Sequence, residues 1–285
     1  MYKNLATGAI GVKTDLEGAI RFASHYGFEG IDFSIEEAAR IAADGGPERV
    51  RELFASAGLR PGSWGPPVDW RGDEARYQEQ LARLPALAAL ARQIGATRAS
   101  TWVPPSSDDR PYDENFGFHV QRFTPIAEIL RDQECRLGLE FIGPETLRAS
   151  KAHPFIYTVD GMLDLCRAIG TGNMGLLLDC WHWYASGDTV DTLRRLRNDD
   201  VVVVHVNDAP QGIPLHEHMD NVRCLPGETG VIDLGAFMTA LRDMGYDGPV
   251  TVEPFSARVR AMQPDQAVAE TKASLDHAWQ VGQVH

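Results

Sequence analysis

The sequence predicts an α/β chain folded as a single (β/α)8 barrel. Three observations carry that expectation. Short apolar or β-branched runs alternate with helical stretches along the whole chain. Eight such runs occur in the 285 residues, which leaves about 36 residues per unit, enough for a strand, a helix and two loops. The runs "GLLLDC" and "VVVVHV" are continuously apolar, as parallel strands covered on both faces must be.

In chain order the expected strands are 5–12 (LATGAIGV), 30–35 (GIDFSI), 59–65 (LRPGSWG), 96–103 (ATRASTWV), 136–142 (RLGLEFI), 174–180 (MGLLLDC), 201–208 (VVVVHVND) and 249–255 (PVTVEPF). Helical segments lie between them. TDLEGAIRFASHYG opens on a Thr/Asp cap with Glu17 in its first turn and closes on Gly27. PERVRELFASAG starts with Pro47 and stops at Gly58. The longest, 73–95, contains Pro85, where a kink is expected. An open doubly wound sheet is the structural alternative, but no GxGxxG or GxxxxGK[ST] follows the first strand. No linker rich in Gly, Ser or Pro divides the chain, so residues 1–285 are expected to form one domain.

Composition narrows the function. Hydrophobic residues make up 44% and charged residues 24%, the balance of a soluble globular protein. No apolar run is long enough to cross a membrane, and the first residues lack a basic-then-apolar signal, so a cytoplasmic location is expected. The net charge of −13 disfavours nucleic acid, because acidic surfaces repel phosphate backbones. The densest basic cluster, LRRLRN at 193–198, reads as a solvated helix face. Four scattered cysteines without a CxxC pair read as reduced thiols.

In such a barrel the active site lies at the C-terminal ends of the strands. Strand 5 ends in Glu140, strand 6 in Asp179, strand 7 delivers His205 and strand 8 ends in Glu253. Singly, each has an ordinary structural reading: a salt bridge, a helix cap or a hydrogen-bonded core histidine. Together, four successive strand ends each deliver a metal-ligand type out of an apolar run, where an unpaired charge is costly. A shared divalent cation would satisfy all four. Three carboxylates and one imidazole favour Mn²⁺ or Mg²⁺, with Co²⁺ and Zn²⁺ as alternatives. His182, three residues after Asp179, is expected near the ion but outside its coordination sphere. Two long loops, 141–158 and 209–230, emerge on the same face and read as lids or substrate walls carrying Glu145, Arg148, His153, His216, His218 and Arg223. The HxH of His216 and His218 could mark a second metal site, but a solvated loop is the stronger reading. Trp64, Trp102, Trp181 and Trp183 are candidates for the floor of a sugar pocket, with core packing the competing role, and Trp102 at the end of strand 4 is the leading one.

These residues carry a resemblance. LGLEF, LDCWH, VHVND, RCLPGETGVIDLGAFMTAL and GYDGPVTVEPF resemble the sugar phosphate isomerase/epimerase superfamily, the xylose-isomerase-like TIM barrels. That group includes ketose 3-epimerases, hydroxypyruvate isomerase and inosose isomerases and dehydratases. The resemblance spans nearly the whole chain and is specific mainly from residue 136 onward. It implies a metal quartet at Glu140, Asp179, His205 and Glu253, and substrate contacts at His182 and Arg223. A loop salt bridge is the competing role for Arg223. It further implies a proton abstracted α to a metal-bound carbonyl, an enediolate intermediate, and Glu140 and Glu253 exchanging the proton on opposite faces of a sugar, keto-sugar or cyclitol. Homo-oligomers are implied as well. A lyase or dehydratase using the same first step remains open. An endonuclease IV-like zinc phosphodiesterase would need further zinc-binding histidines on strands 2 and 3, and "GIDFSI" and "GSWGPP" offer Asp32, Phe33 and Trp64 there instead. A non-catalytic partner subunit would be expected to have lost the quartet.

Overall fold

The computed structural model describes residues 1–284. Among them, eight parallel strands ring a barrel: β1 (Tyr2–Leu5), β2 (Gly30–Ile31), β3 (Arg60–Pro61, resuming after Gly62 as Ser63–Trp64), β4 (Arg98–Val103), β5 (Arg136–Phe141), β6 (Met174–Asp179), β7 (Val201–Val206) and β8 (Pro249–Val252). The two pieces of β3 are the two ends of the sheet. The first pairs with β2 (Gly30 opposite Arg60) and the second with β4 (Ser63 opposite Arg98), so the sheet closes on itself. Helices α1 (Leu16–Tyr26), α2 (Ile35–Ser56), α3 (Glu74–Gln93), α4 (Tyr112–Asp132), α5 (Val159–Ile169), α6 (Cys180–Ser186), α7 (Val190–Arg194), α8 (Leu234–Asp243) and α9 (Pro264–Val281) follow the strands. No helix of the described residues is long and apolar enough to cross a membrane.

Several boundaries depart from the sequence expectation. The first strand lies at 2–5 rather than 5–12, because Gly8–Ile10 form a tight 3₁₀ turn that ends on left-handed Gly11. The second strand stops at Ile31. Ser34 accepts a hydrogen bond from the Glu37 amide and starts α2 at Ile35, twelve residues ahead of the helix expected at Pro47. Gly46, at φ 73°, breaks α2 just before that proline. Helix α3 runs through Pro85 without interruption. Elsewhere the punctuation works as written: Asp15 caps α1 through the Gly18 amide, and Gly27 ends it in the left-handed conformation.

Side-chain alternation decides what faces inward. Leu177 and Val203 fill the interior of the barrel beneath the site. Asp179 and His205 follow two residues later on the same face, paired across β6 and β7. The alternate residues Leu176, Leu178, Val204 and Val206 pack outward in the main core with the helices. At the bottom, Arg98 and Arg136 donate to the carbonyls of Val202 and Asp199, at 2.7 and 2.6 Å.

The upper interior of β1, β2 and β8 is polar. Asn4 Nδ2 donates to Asp32 Oδ1 at 2.7 Å and to Thr251 Oγ1 at 2.9 Å. Gly62 makes room for this network. A Cβ there would lie 2.5 Å from both Asn4 Oδ1 and Asp32 Oδ1, and 2.7 Å from the Ile31 carbonyl. Gly62→Ala is therefore expected to cost about 1–3 kcal/mol through overpacking, read as a lowered urea midpoint. An unchanged midpoint would mean that the β2–β3 seam yields without cost.

Candidate functional site

The four strand-end residues converge. One ligand atom from each of Glu140, Asp179, His205 and Glu253 lies within 4.8 Å of the others. Register accounts for it: His205 stands opposite Asp179 on one side and Thr251 on the other, and Glu253 follows Thr251 by two residues. Glu140 is opposite Trp102 on β4.

Asp179 is fully buried and has two jobs. Its Oδ1 accepts from the Trp181 amide at 2.8 Å, capping α6, and from Asn207 Nδ2 at 2.9 Å. Its Oδ2 accepts from Arg223 Nη1 at 2.8 Å. The cap and the cluster are one arrangement, so the structural and functional readings of Asp179 coexist. Arg223 Nη1 also donates to Glu253 Oε2 at 3.0 Å, while its Nη2 donates to Asp220 Oδ1 at 2.9 Å. The guanidinium is buried beneath the Phe255 ring, 4.5 Å from its centroid. It therefore contributes an internal ion pair and also lines the cavity. Phe255 itself adopts φ 35°, a strained value for a residue with a side chain.

Charge crowding shapes the protonation of the cluster. Burial, and then the neighbouring Glu253 carboxylate, hold Glu140 well above the usual carboxylate range. Burial would lower His205, but Glu253, Glu140 and Asp179 outweigh it and raise the imidazole to about 10. Burial likewise opposes ionisation of Glu253, yet His205 and Arg223 bring it to about 2. Burial and the Arg223 guanidinium push His182 down to about 3, so it is neutral. The Gly143 amide donates to its Nδ1 at 3.2 Å, and Arg223 Nη2 lies 3.4 Å from its Nε2. That nitrogen is 3.7 Å from Glu140 Oε1 and 3.8 Å from Asp220 Oδ1.

The residues fit a divalent cation. Glu140 Oε1 and His205 Nδ1 are buried and have no hydrogen-bond partner, and they belong to an oxygen-rich donor set suited to such an ion. Among the described residues this is the one cluster of its kind.

The other candidates divide. Trp102 is 41% exposed and lines the cavity beside the quartet. Glu145 lies outside that lining; its carboxylate is half exposed and 3.9 Å from Arg148, because the turn Glu145–Arg148 aims it at solvent. Trp64 donates to the Ala96 carbonyl within the core, Trp181 is buried under Arg223, and Trp183 packs on Phe237. His216 is exposed, whereas His218 is buried against Trp181 and Tyr184, so HxH brings no two ligands together. Two contributors went unread in the sequence. Asn207 holds Asp179, and Asp220 pairs with Arg223; the acid–arginine spacing in "DNVR" is the signal for the second.

A family model described as a xylose isomerase-like TIM barrel matches residues 20–278. The chain belongs to this family. An inosose isomerase of Bacillus velezensis is 22% identical over 270 residues, covering 93% of this chain and 91% of that protein. A 3-dehydroshikimate dehydratase of Pseudomonas putida is 24% identical over 277 residues, which is 96% of this chain but 41% of the relative. The crystal structure of a xylose isomerase domain protein from Alicyclobacillus acidocaldarius superposes with a TM-score of 0.89 at 27% identity, covering 99% of both chains. The proteins this chain is similar to thus include both an isomerase and a dehydratase.

Arg223 supplies a test of the electrostatics. In the metal-free protein it is the buried guanidinium paired with Asp179 and Glu253. Arg223→Met is expected to lose about 3–5 kcal/mol of stability at neutral pH, because it leaves buried carboxylates uncompensated. Added Mn²⁺ should restore part of that loss, since a ligand of the native state stabilises it. Undiminished stability in denaturant titrations would show that the guanidinium does not offset this charge.

Proposed function

We propose that the chain is a divalent-metal-dependent enzyme that moves a proton α to a carbonyl of a sugar, keto-sugar or cyclitol, giving isomerisation or epimerisation. The observation that carries the reading is the pair Glu140 and Glu253. Both line one cavity, and both approach His205 Nδ1, at 3.8 and 3.5 Å. Glu140, Asp179, His205 and Glu253 would hold the ion, with Mn²⁺ or Mg²⁺ favoured by their oxygen-rich set. When bound, such an ion polarises a carbonyl oxygen and offsets the negative charge that develops as the adjacent proton leaves.

The chain's own groups supply the rest. One glutamate takes the α-proton on a carboxylate oxygen, and the other returns one from across the cavity. Return to the same carbon on its other face inverts it; return to the neighbouring carbon moves the carbonyl. His182, neutral, lines the cavity and hydrogen-bonds a substrate oxygen. Asp220 and Asp179 hold Arg223 at the edge of the cavity, where its charge orients substrate oxygens. Phe255 and Ile142 cover the site and limit water.

Elimination is the second reading, and the dehydratase relative favours it. The same proton removal, with a hydroxyl or alkoxyl on the next carbon, expels that group and leaves a double bond. Solvent deuterium separates the outcomes. An isomerase or epimerase incorporates deuterium from D₂O at the α-carbon of recovered substrate or product without loss of a fragment, whereas a lyase releases water or an alcohol. Glu140→Gln and Glu253→Gln should each slow exchange by about 10²–10⁴-fold. Elemental analysis should find about one divalent ion per wild-type chain, weakened by Glu253→Gln. Exchange that persists in both variants would end the two-glutamate mechanism.

A further inference from the structure

Two cavities flank the quartet, and Glu253 lines both. The larger, of about 500 Å³, opens over Glu140, His182 and Arg223. Beyond those groups and the Asp220 carboxylate, its wall is Trp102, Pro104, Pro105, Ile142, Leu147 and Phe255. The polar side chains on that wall are already engaged. Ser106 Oγ and Ser150 Oγ both donate to the Leu147 carbonyl, at 2.9 and 2.7 Å, and Lys151 Nζ donates to Asp108 Oδ2 at 3.0 Å. Trp102 is braced from one side by the Arg71 guanidinium, 4.5 Å from its ring centroid. The wall therefore presents C–H and π surface to anything in the cavity.

The smaller cavity, of about 260 Å³, lies on the other side of His205, toward β1–β4. Asp32, Ser63, Ser100 and Thr251 line it together with Ala6, Ala9, Phe33 and Trp64. Here hydroxyls and a carboxylate form a network: Ser63 Oγ is 2.8 Å from Ser100 Oγ, and Thr251 Oγ1 donates to Asp32 Oδ2 at 3.3 Å. Asp32 and these hydroxyls supply the polar part of that lining.

A small free polyol matches only half of this surface. Hydroxyls placed against the Trp102–Leu147 wall would lose water without gaining partners, which is unfavourable. We infer that the substrate is amphipathic: a polyhydroxylated ring whose hydroxyls face the Asp32 cavity, bearing an apolar substituent, as in an aryl or alkyl glycoside or ether, that lies against Trp102 and Leu147. The inference rests on the proposed reaction for which atoms meet the quartet, but the apolar wall of the larger cavity stands apart from it.

The test is calorimetric binding of phenyl β-D-glucopyranoside and methyl β-D-glucopyranoside to the Mn²⁺-loaded protein, with metal content measured on the same sample. The phenyl glycoside is expected to bind at least about tenfold tighter, as burial of one aromatic ring predicts. Trp102→Ala and Leu147→Gln, each made separately, should narrow that ratio to below about threefold. Equal affinities, a ratio unmoved by both substitutions, or no binding of either glycoside to protein that holds its ion would each overturn the inference. Those results leave the metal reading intact. Protein that takes up no ion strikes the metal reading instead, and the ratio of the two affinities still judges the apolar wall.

Discussion

The structure depends on one electrostatic problem: Asp179, Glu140 and Glu253 crowd the barrel mouth with little access to water. Isolated charges in such a place are untenable unless paired or neutralised. Arg223 answers part of the demand by donating one nitrogen to both Asp179 and Glu253. His205 answers another part by taking a proton, since the three carboxylates raise its imidazole despite its burial. Glu140 remains the least satisfied, with Oε1 unpartnered and its ionisation suppressed. A divalent cation among these four groups would displace the proton from His205 and ionise Glu140 together. The same demand that makes the metal-free site costly thus makes it receptive.

Meeting that demand requires accurate placement, and long parallel strands supply it. β5, β6 and β7 are each six residues long and buried through most of their length. Their register sets Asp179 beside His205 and His205 beside Thr251. Asn207 then ties Asp179 to the Glu253 carbonyl across the ends of three strands. His182 is fixed by a close approach instead. A Cβ on Gly143 would meet the His182 carbonyl at 2.3 Å, so glycine lets the β5 loop lie against α6. Groups held by packed strands and satisfied hydrogen bonds keep their geometry when a ligand arrives.

Legibility in the sequence follows from the same physics. β5–β8 could be read because each carries its acid or histidine out of an apolar run, and burial of such a residue demands a partner. The first half resisted reading because its strands hardly look like strands. β2 pairs over two residues, and β3 is split at Gly62 beside the Asn4–Asp32 network. Asp32 was visible as a residue but its neighbours were not, since Asn4 and Thr251 reach it from the two ends of the chain. Asp220 lies in a loop whose path is set by the Asp208–Cys224 bridge rather than by any periodicity. Glu145 shows the reverse error: a polar residue in a long loop on the catalytic face, turned outward by a four-residue helix.

The barrel combines close placement of the quartet with room on both sides of it. The six-residue apolar strands β5, β6 and β7 place Glu140, Asp179 and His205 closely, and the larger cavity opens above Glu140. The short and interrupted strands β1–β3 give up ladder hydrogen bonds, and in return polar side chains and space occupy the upper barrel beside His205. Glu253 stands at the boundary, bonded to Arg223 on one side and facing the Asp32 cavity on the other. Two residues later, Phe255 holds a left-handed backbone conformation that a bulky side chain disfavours by about 1–3 kcal/mol. Its ring over the Arg223 guanidinium offsets that strain. The chain leaves β8 along a path that no regular strand or helix would take, and that path covers the guanidinium paired with Asp179 and Glu253.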